Sequence, residues 1–487
     1  MLLLLVTACL PPILLDTGMV SDTGTTDDSA DTSDSGDPID DADSDGYLAG
    51  PASTDDCDDN NPAVHPGAEE VLDWVDGDCD GSVIEAAQDY AEHGLFTEVG
   101  FISEVAAFPP GDDRVAAGFP SVNAVRITST VDLADGSIDG GKDITYGAGT
   151  AFGFDVLSFD LDTDTHADLL IGDPSYGAYW IVPDDTIDGA GSAIAAENLD
   201  ILYATGGSIG FAAAQVGDRL AITVSSPSTT VYLLELEDVE GVGGAVERGV
   251  PVNSDSLVDG FGASLAALDL NGDGVGELIA GAPGGARGAV YVFDGTLVAS
   301  EVASLTTDDA EATWTGEVSG SPIGGQTLGA GQINDDGYAD VFIASYVTDA
   351  DLPRTFYTML GAERPASGAA ASVAMSSVTD IQGFTADAVV NFPSADAADL
   401  DGDFKAELVI GSPGESPGRL YVFSGDMLGG PGTFTGADAP VGIQGQDPDD
   451  NFGEVVTLAG LGQANPMALV AAPGQSGGVF WSFPLAF

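Results

Sequence analysis

Asp269, Asn271, Asp273 and Glu277 stand at positions 1, 3, 5 and 9 of one loop, Asp269-Leu-Asn271-Gly-Asp273-Gly-Val275-Gly-Glu277. Oxygen-bearing side chains at that spacing, with glycines allowing a tight turn, can fold around one hard cation. The backbone carbonyl of position 7, Val275, then completes the shell, and calcium suits this donor set. Three more loops repeat the pattern. One offers Asp160, Asp162, Asp164 and Asp168, with His166 at position 7 presenting its carbonyl rather than its ring. A second offers Asn334, Asp336 and Asp340 with Tyr338 at position 7, and a third Asp399, Asp401, Asp403 and Glu407 with Lys405. The second has Gln332 at position 1, so it lacks one carboxylate and is expected to bind most weakly. A single Asp-Gly turn is ordinarily a solvated turn. Four in the same place of a repeat argue for cation binding.

Such loops need strands to hold them. Around the first loop the chain runs from Phe261-Gly262 through a short apolar segment, then, after the acids, through Leu278-Ile-Ala280 to the turn Gly281-Ala-Pro283 and on to Val290-Tyr-Val-Phe293. Apolar runs of four or five residues stopped by Gly, Pro or Asp are strand signals. With Gly281 as anchor, the equivalent positions are Gly118, Gly172, Ser225, Ala344, Gly411 and Ala471. Seven copies of roughly 59 residues mean a radial array, and seven four-stranded sheets around an axis make an all-β propeller. Blades 1, 3 and 7 lack the acid loop; blade 7 has Leu461-Gly-Gln-Ala-Asn-Pro466 in its place.

The Phe-Gly…Gly-Ala-Pro signature with its interposed Asp loop resembles the FG-GAP repeats of integrin α-subunit heads and their bacterial relatives. The resemblance covers residues 95–487 and implies a seven-bladed propeller with calcium in the hairpin loops. It also implies a ligand face opposite those loops. There the chain offers Tyr176, Arg287, Tyr346 and Arg419, side-chain types that often anchor interfaces.

The formal net charge is −70, from 10 Lys plus Arg against 80 Asp plus Glu. Nucleic acid is thereby excluded as a partner, and an anionic membrane surface would repel the chain. Residues 1–8 read as a signal-peptide remnant, since Val6-Thr-Ala-Cys9 resembles a bacterial lipobox, although no Lys or Arg precedes the apolar run. That resemblance implies acylation of Cys9 and a lipid anchor at a bacterial outer membrane or cell surface. Residues 9–36 are an acidic, Ser- and Thr-rich stretch expected to be a disordered spacer. Asp31-Thr-Ser-Asp-Ser35 matches a metal motif of integrin inserted domains, but nothing around it predicts the strand that motif needs.

From residue 37 to 85 the acids become patterned. Asp41, Asp43 and Asp45 precede Gly46 with the spacing of a calcium loop. The following Asp55-Asp-Cys57-Asp-Asp-Asn-Asn-Pro62 and Asp76-Gly-Asp-Cys79-Asp-Gly81 resemble the MopE-like metal-binding motif of bacterial surface proteins. Leu72 stands where that motif usually has another Cys. Cys57 and Cys79 are left as a pair, expected to form a disulfide in an oxidising compartment. Two stray thiols in an acidic linker, or copper or zinc on Cys57, Cys79 and His65, are the alternatives.

Catalytic constellations are scarce. The chain has three histidines. Two Gly-x-Ser-x-Gly matches, at residues 206–210 and 474–478, do not follow a strand and open a helix as a nucleophile elbow must. Gly136-Ser-Ile-Asp-Gly-Gly-Lys142 resembles a phosphate loop, but Asp143 would repel phosphate. The expectation is therefore a non-enzymatic adhesion or recognition module for a protein or glycan. The rivals are a secreted hydrolase using the propeller as scaffold and a purely structural surface-layer protein. Blade 7 ends too close to residue 487 to supply its own outer strand. Residues 84–98 are expected to fill that place, although Ala86 to His93 carries a helix-like composition.

Overall fold

In each repeat the apolar run that ends at the anchor position is a buried strand. Asp168–Asp173, Glu277–Ala282, Glu407–Ser412 and Met467–Ala472 are buried at every residue. The computed structural model describes residues 41–50, 55–68, 77–79, 84–86, 91–94 and most of 102–484. Cys9, the spacer and the Asp31–Ser35 motif lie outside the described residues, as do Asp162, Asn334, Asp401 and Tyr346.

Seven sheets form, one per repeat. In blade 4, Leu265–Leu268, Glu277–Ala282, Ala289–Phe293 and Ala312–Thr315 pair antiparallel in sequence order, with Leu265 opposite Ala280, Ala280 opposite Tyr291 and Val290 opposite Trp314. Strands buried on both faces need neighbours on both sides, and the apolar residues duly sort into seven clusters, one at each blade interface. The cluster joining Val105, Val115 and Phe119 of blade 1 to Val455, Met467 and Leu469 of blade 7 closes the ring. A hydrogen bond of 2.7 Å from Thr457 Oγ1 to the Val105 carbonyl crosses the same seam.

Two details differ from the sequence reading. Six of the sheets carry a fifth strand rather than stopping at four. It runs parallel to the fourth, and for blades 1 to 5 it comes from the next blade, between that blade's third and fourth strands. Ala193–Ala195 on blade 1 and Leu305–Thr306 on blade 3 are examples. Pieces of two to four residues are too short to show a strand period. The second difference is at the N-terminal joint. Ala86 to His93 is rich in helix formers, yet Ile84–Ala86 and Ala91–Gly94 are strands. Ala91–Gly94 pairs antiparallel with Val479–Pro484 and completes blade 7, while Ile84–Ala86 is the fifth strand of blade 6. The open edges of those two sheets supply backbone hydrogen bonds that outweigh a weak helix preference.

The Phe-Gly and Gly-Ala-Pro elements owe their residue types to contact between neighbouring blades. Gly153 has φ +90°, which favours glycine. Its N–H bonds the Gly172 carbonyl of its own blade at 3.0 Å. Its carbonyl accepts from Ser103 Oγ of blade 1 at 2.7 Å. That carbonyl lies so close to Gly118 that a Cβ there would sit 2.1 Å away. Gly281 and Gly411 meet the carbonyls of Gly324 and Gly453 in the same way, at 2.1 and 1.9 Å. The signature is thus an inter-blade joint.

Candidate functional site

Each acid loop joins the first and second strands of its blade, so all four lie on one face of the disc. In blade 4, Asp269 folds the loop around itself. Its Oδ1 accepts from the N–H groups of Gly272 and Asp273 at 2.7 and 3.2 Å, and its Oδ2 from Gly274 at 2.9 Å. Asn271 Oδ1 accepts from the Asp273 N–H and Asp273 Oδ1 from the Val275 N–H, both at 2.8 Å. These side chains are turned inward by the backbone before any ion is considered, as a hard-cation loop requires.

The position-9 carboxylates have a second role that spacing did not reveal. Asp168, Glu277, Asp340 and Glu407 are all buried. Each accepts from the N–H of position 2 (Leu161, Leu270, Ile333 and Leu400) at 2.6 to 2.9 Å. In blades 2, 5 and 6 the other oxygen accepts an N–H just beyond the third strand, from Asp184, Gly361 and Gly425. These acids latch the loop to the sheet, and in blade 4 the other Glu277 oxygen accepts from Asn271 Nδ2 at 2.7 Å. Burial pushes Asp340 up to about 6 despite its two N–H donors.

The loops are also chained around the ring. The position-1 carbonyls of Asp269 and Gln332 accept from Ala339 and Ala406 of the next blade at 3.1 and 2.5 Å, and that of Asp160 accepts from Gln215 Nε2 at 3.3 Å.

Blades 2 and 6 add charges from outside the loop. Asp164, His166 and Asp184 bring ligand atoms within 4.8 Å of one another. The His166 ring, passed over in favour of its carbonyl, lies with Nδ1 3.4 Å from Asp164 Oδ1. Asp184 was missed because it opens the helix Asp184–Gly189 after the third strand, beyond the loop's own spacing. In blade 6 the Lys405 ammonium pairs with Asp426 and sits 3.8 Å from Asp403, so a fixed positive charge already stands beside that loop.

In the N-terminal module, Asp41, Asp43 and Asp45 also bring oxygens within 4.8 Å of one another. Burial, with Asp45, Asp56 and Asp41 adding repulsion, pushes the Asp43 carboxyl up. The expected disulfide between Cys57 and Cys79 is present, with Cα atoms 5.6 Å apart. His65 stacks on Tyr47 with ring centroids 4.7 Å apart.

The opposite face carries the turns between second and third strands. Tyr176 is 54% exposed there and packs on Tyr146 and Trp180. Arg287 is exposed. Arg419 begins the third strand of blade 6 and is half-buried with a partner, so it is less available than the sequence implied. Sequence reading missed Phe154 and Phe211, which follow the Phe-Gly equivalents of blades 2 and 3 and meet edge-to-face at 6.1 Å. On the serine at the first Gly-x-Ser-x-Gly match, Ser208, the hydroxyl donates to the Pro174 carbonyl of the neighbouring blade at 2.6 Å. Lys142 of the phosphate-loop lookalike donates to the Ile187 carbonyl.

Two family models match parts of the chain. The FG-GAP repeat family matches residues 261–293 and 391–423, the units of blades 4 and 6. The Cu-binding MopE family, described as "Putative metal-binding motif", matches residues 56–85. Among solved structures, one described as "Structure of Dos1 propeller" is similar at 9% identity and a TM-score of 0.44. The match covers 83% of this chain and 96% of that one.

Proposed function

We propose that this seven-bladed propeller, with its FG-GAP repeats and MopE-type metal-binding motif, is a non-enzymatic recognition module on a bacterial cell surface, tethered through acylated Cys9. Calcium in the loops of blades 2, 4, 5 and 6 stiffens one face, and the other binds a protein or glycan partner. The observation that carries this reading is where the exposed large apolar side chains fall. Val122, Phe154, Tyr176, Tyr203 and Phe211, in blades 1 to 3, all lie at strand ends or turns on the face opposite the acid loops. Only Val131 and Phe404, among the described propeller residues, lie on the acid-loop face. Aromatic side chains gathered on loops of a rigid scaffold offer contact area at little cost in conformational entropy. The rival reading, hydrolysis, has less support, because Ser208 is spent on a bond between blades.

A glycan and protein array probed with the full chain, in calcium and in EGTA, tests the reading. Calcium-dependent capture that Tyr176→Ala and Phe211→Ala abolish, with melting unchanged, is the expected result. Capture that survives both substitutions, or turnover in a hydrolase panel with no capture, overturns it.

A further inference from the structure

Among the described residues, the N-terminal module holds three buried carboxylate oxygens that lack a hydrogen-bond partner: Asp43 Oδ2, Asp45 Oδ2 and Asp56 Oδ2. In each residue the other oxygen is committed to the backbone. Asp43 Oδ1 accepts from the Asp45 N–H, Asp45 Oδ1 from Tyr47 and Asp56 Oδ1 from Asp58, at 3.2, 2.8 and 2.8 Å. The side chains are thereby fixed with one oxygen each left over. Asp56 is only 1% exposed, so bulk solvent does not reach it, and a buried unpartnered carboxylate oxygen calls for a bound group. It is held against the 41–47 loop by hydrogen bonds from its N–H to the Leu48 carbonyl at 2.8 Å and from Gly50 to its own carbonyl at 3.0 Å. The Ala42 N–H donates to Asp59 Oδ1 at 3.1 Å and fastens the loop's other end. Asp56 and Asp45 both repel Asp43. The module has no Lys or Arg of its own, since the first such residue in the sequence is Arg114.

We propose that Asp41, Asp43 and Asp45, whose oxygens lie within 4.8 Å of one another, form with the buried Asp56 beside them a site for one hard divalent cation of the calcium class. The sequence spacing gave the first three acids. The structure adds Asp56, which belongs to the Cys-containing segment, so the ion joins two stretches of chain that spacing treats as separate. Copper, the metal in the matched family's name, does not fit this donor set. Its preferred soft ligands are thiolates, and Cys57 and Cys79 are joined to each other. His65 faces the Tyr47 ring, with Nδ1 3.4 Å from the Pro66 carbonyl. This assignment concerns the metal-binding part of the proposed function alone and stands apart from the propeller's loops and its recognition face.

Because Asp56 adjoins Cys57, the test can be read at the disulfide. In the full chain, reduction by a phosphine is followed by alkylation and peptide mass spectrometry at Cys57 and Cys79, in calcium and in EGTA. At calcium ten times the dissociation constant, opening of the module is suppressed about tenfold, and reduction slows by the same factor. Asp56→Asn and Asp43→Asn bring the ratio to one, whereas Asp273→Ala, in blade 4, leaves it intact. Equal rates in calcium and EGTA for the unsubstituted protein overturn the site. Stoichiometric copper retained by the oxidised protein after dialysis, and lost with His65→Ala, overturns the choice of metal. A change with Asp273→Ala alone would place the calcium effect in the propeller instead.

Discussion

Replacing Gly281 by alanine tests whether the repeat signature is an inter-blade joint. An ideal Cβ at that position meets the Gly324 carbonyl oxygen at 2.1 Å and Ser264 Oγ at 2.4 Å. Ordinary contacts begin near 3.4 Å. Ser264 can swing away, but the Gly324 carbonyl belongs to the backbone of the next blade and can yield only if the two blades separate by roughly 1 Å. Backbone conformation does not oppose the change, because Gly281 is absent from the residues with positive φ. Relief of glycine's entropy would by itself favour alanine by about 0.5–1 kcal/mol. Overpacking against rigid neighbours costs about 1–3 kcal/mol, and here the obstructing atom is backbone, so the upper end applies. The net expectation is a loss of about 2 kcal/mol, read as a lower urea midpoint in saturating calcium. Gly206→Ala is the control: nothing lies within 4 Å of its Cβ, and its stability should not fall. Equal midpoints for the two variants would refute the joint.

Two further outcomes follow from ring closure and from carboxyls on the first strands of blades 1, 2 and 6. Deleting residues 84–94 removes the outer strand of blade 7 and the fifth strand of blade 6, so unfolding should lose cooperativity and the exposed edges should drive aggregation, measured by light scattering; a monomeric variant with an unchanged melt contradicts this. Glu104 is pushed up to about 8 by burial, with Asp155 and Asp396 adding repulsion, and burial pushes each of those to about 6. A carboxyl raised on folding favours the native state at low pH, and that contribution is lost as pH climbs from the unfolded value of 4.5 through about 8 for Glu104. Glu104→Gln should therefore raise the unfolding midpoint at pH 8, leave it unchanged near pH 4 and flatten the profile between; parallel profiles for variant and parent rule the argument out.

What could be read from the sequence, and what could not, divides along the range of the interaction involved. The unit of residues 261–293 was legible because its information is local: three apolar runs, a loop with oxygen-bearing side chains at positions 1, 3 and 5, and glycines where φ is positive, as at Gly272 and Gly274. Repetition then fixed the number of blades, since one such hairpin cannot bury both its faces and seven in a ring can. Contacts made between elements left no such trace. Asp340 looked like a ligand by spacing alone, and its bond from the Gly361 N–H became visible only when the end of the third strand was placed beside the loop. Asp184 reaches the blade 2 loop from another element and has no positional signature. Asp56 shows the same limit in the N-terminal module: its neighbours in sequence mark it as one acid among many, and only burial against the 41–47 loop singles out its unpaired oxygen. The joint at residues 84–94 is the extreme case. Its composition favours a helix, but two unfilled sheet edges, one of them formed by the last apolar run of the chain, determine what it becomes. A preference of a few tenths of a kcal/mol per residue cannot compete with a ladder of backbone hydrogen bonds that also closes a ring.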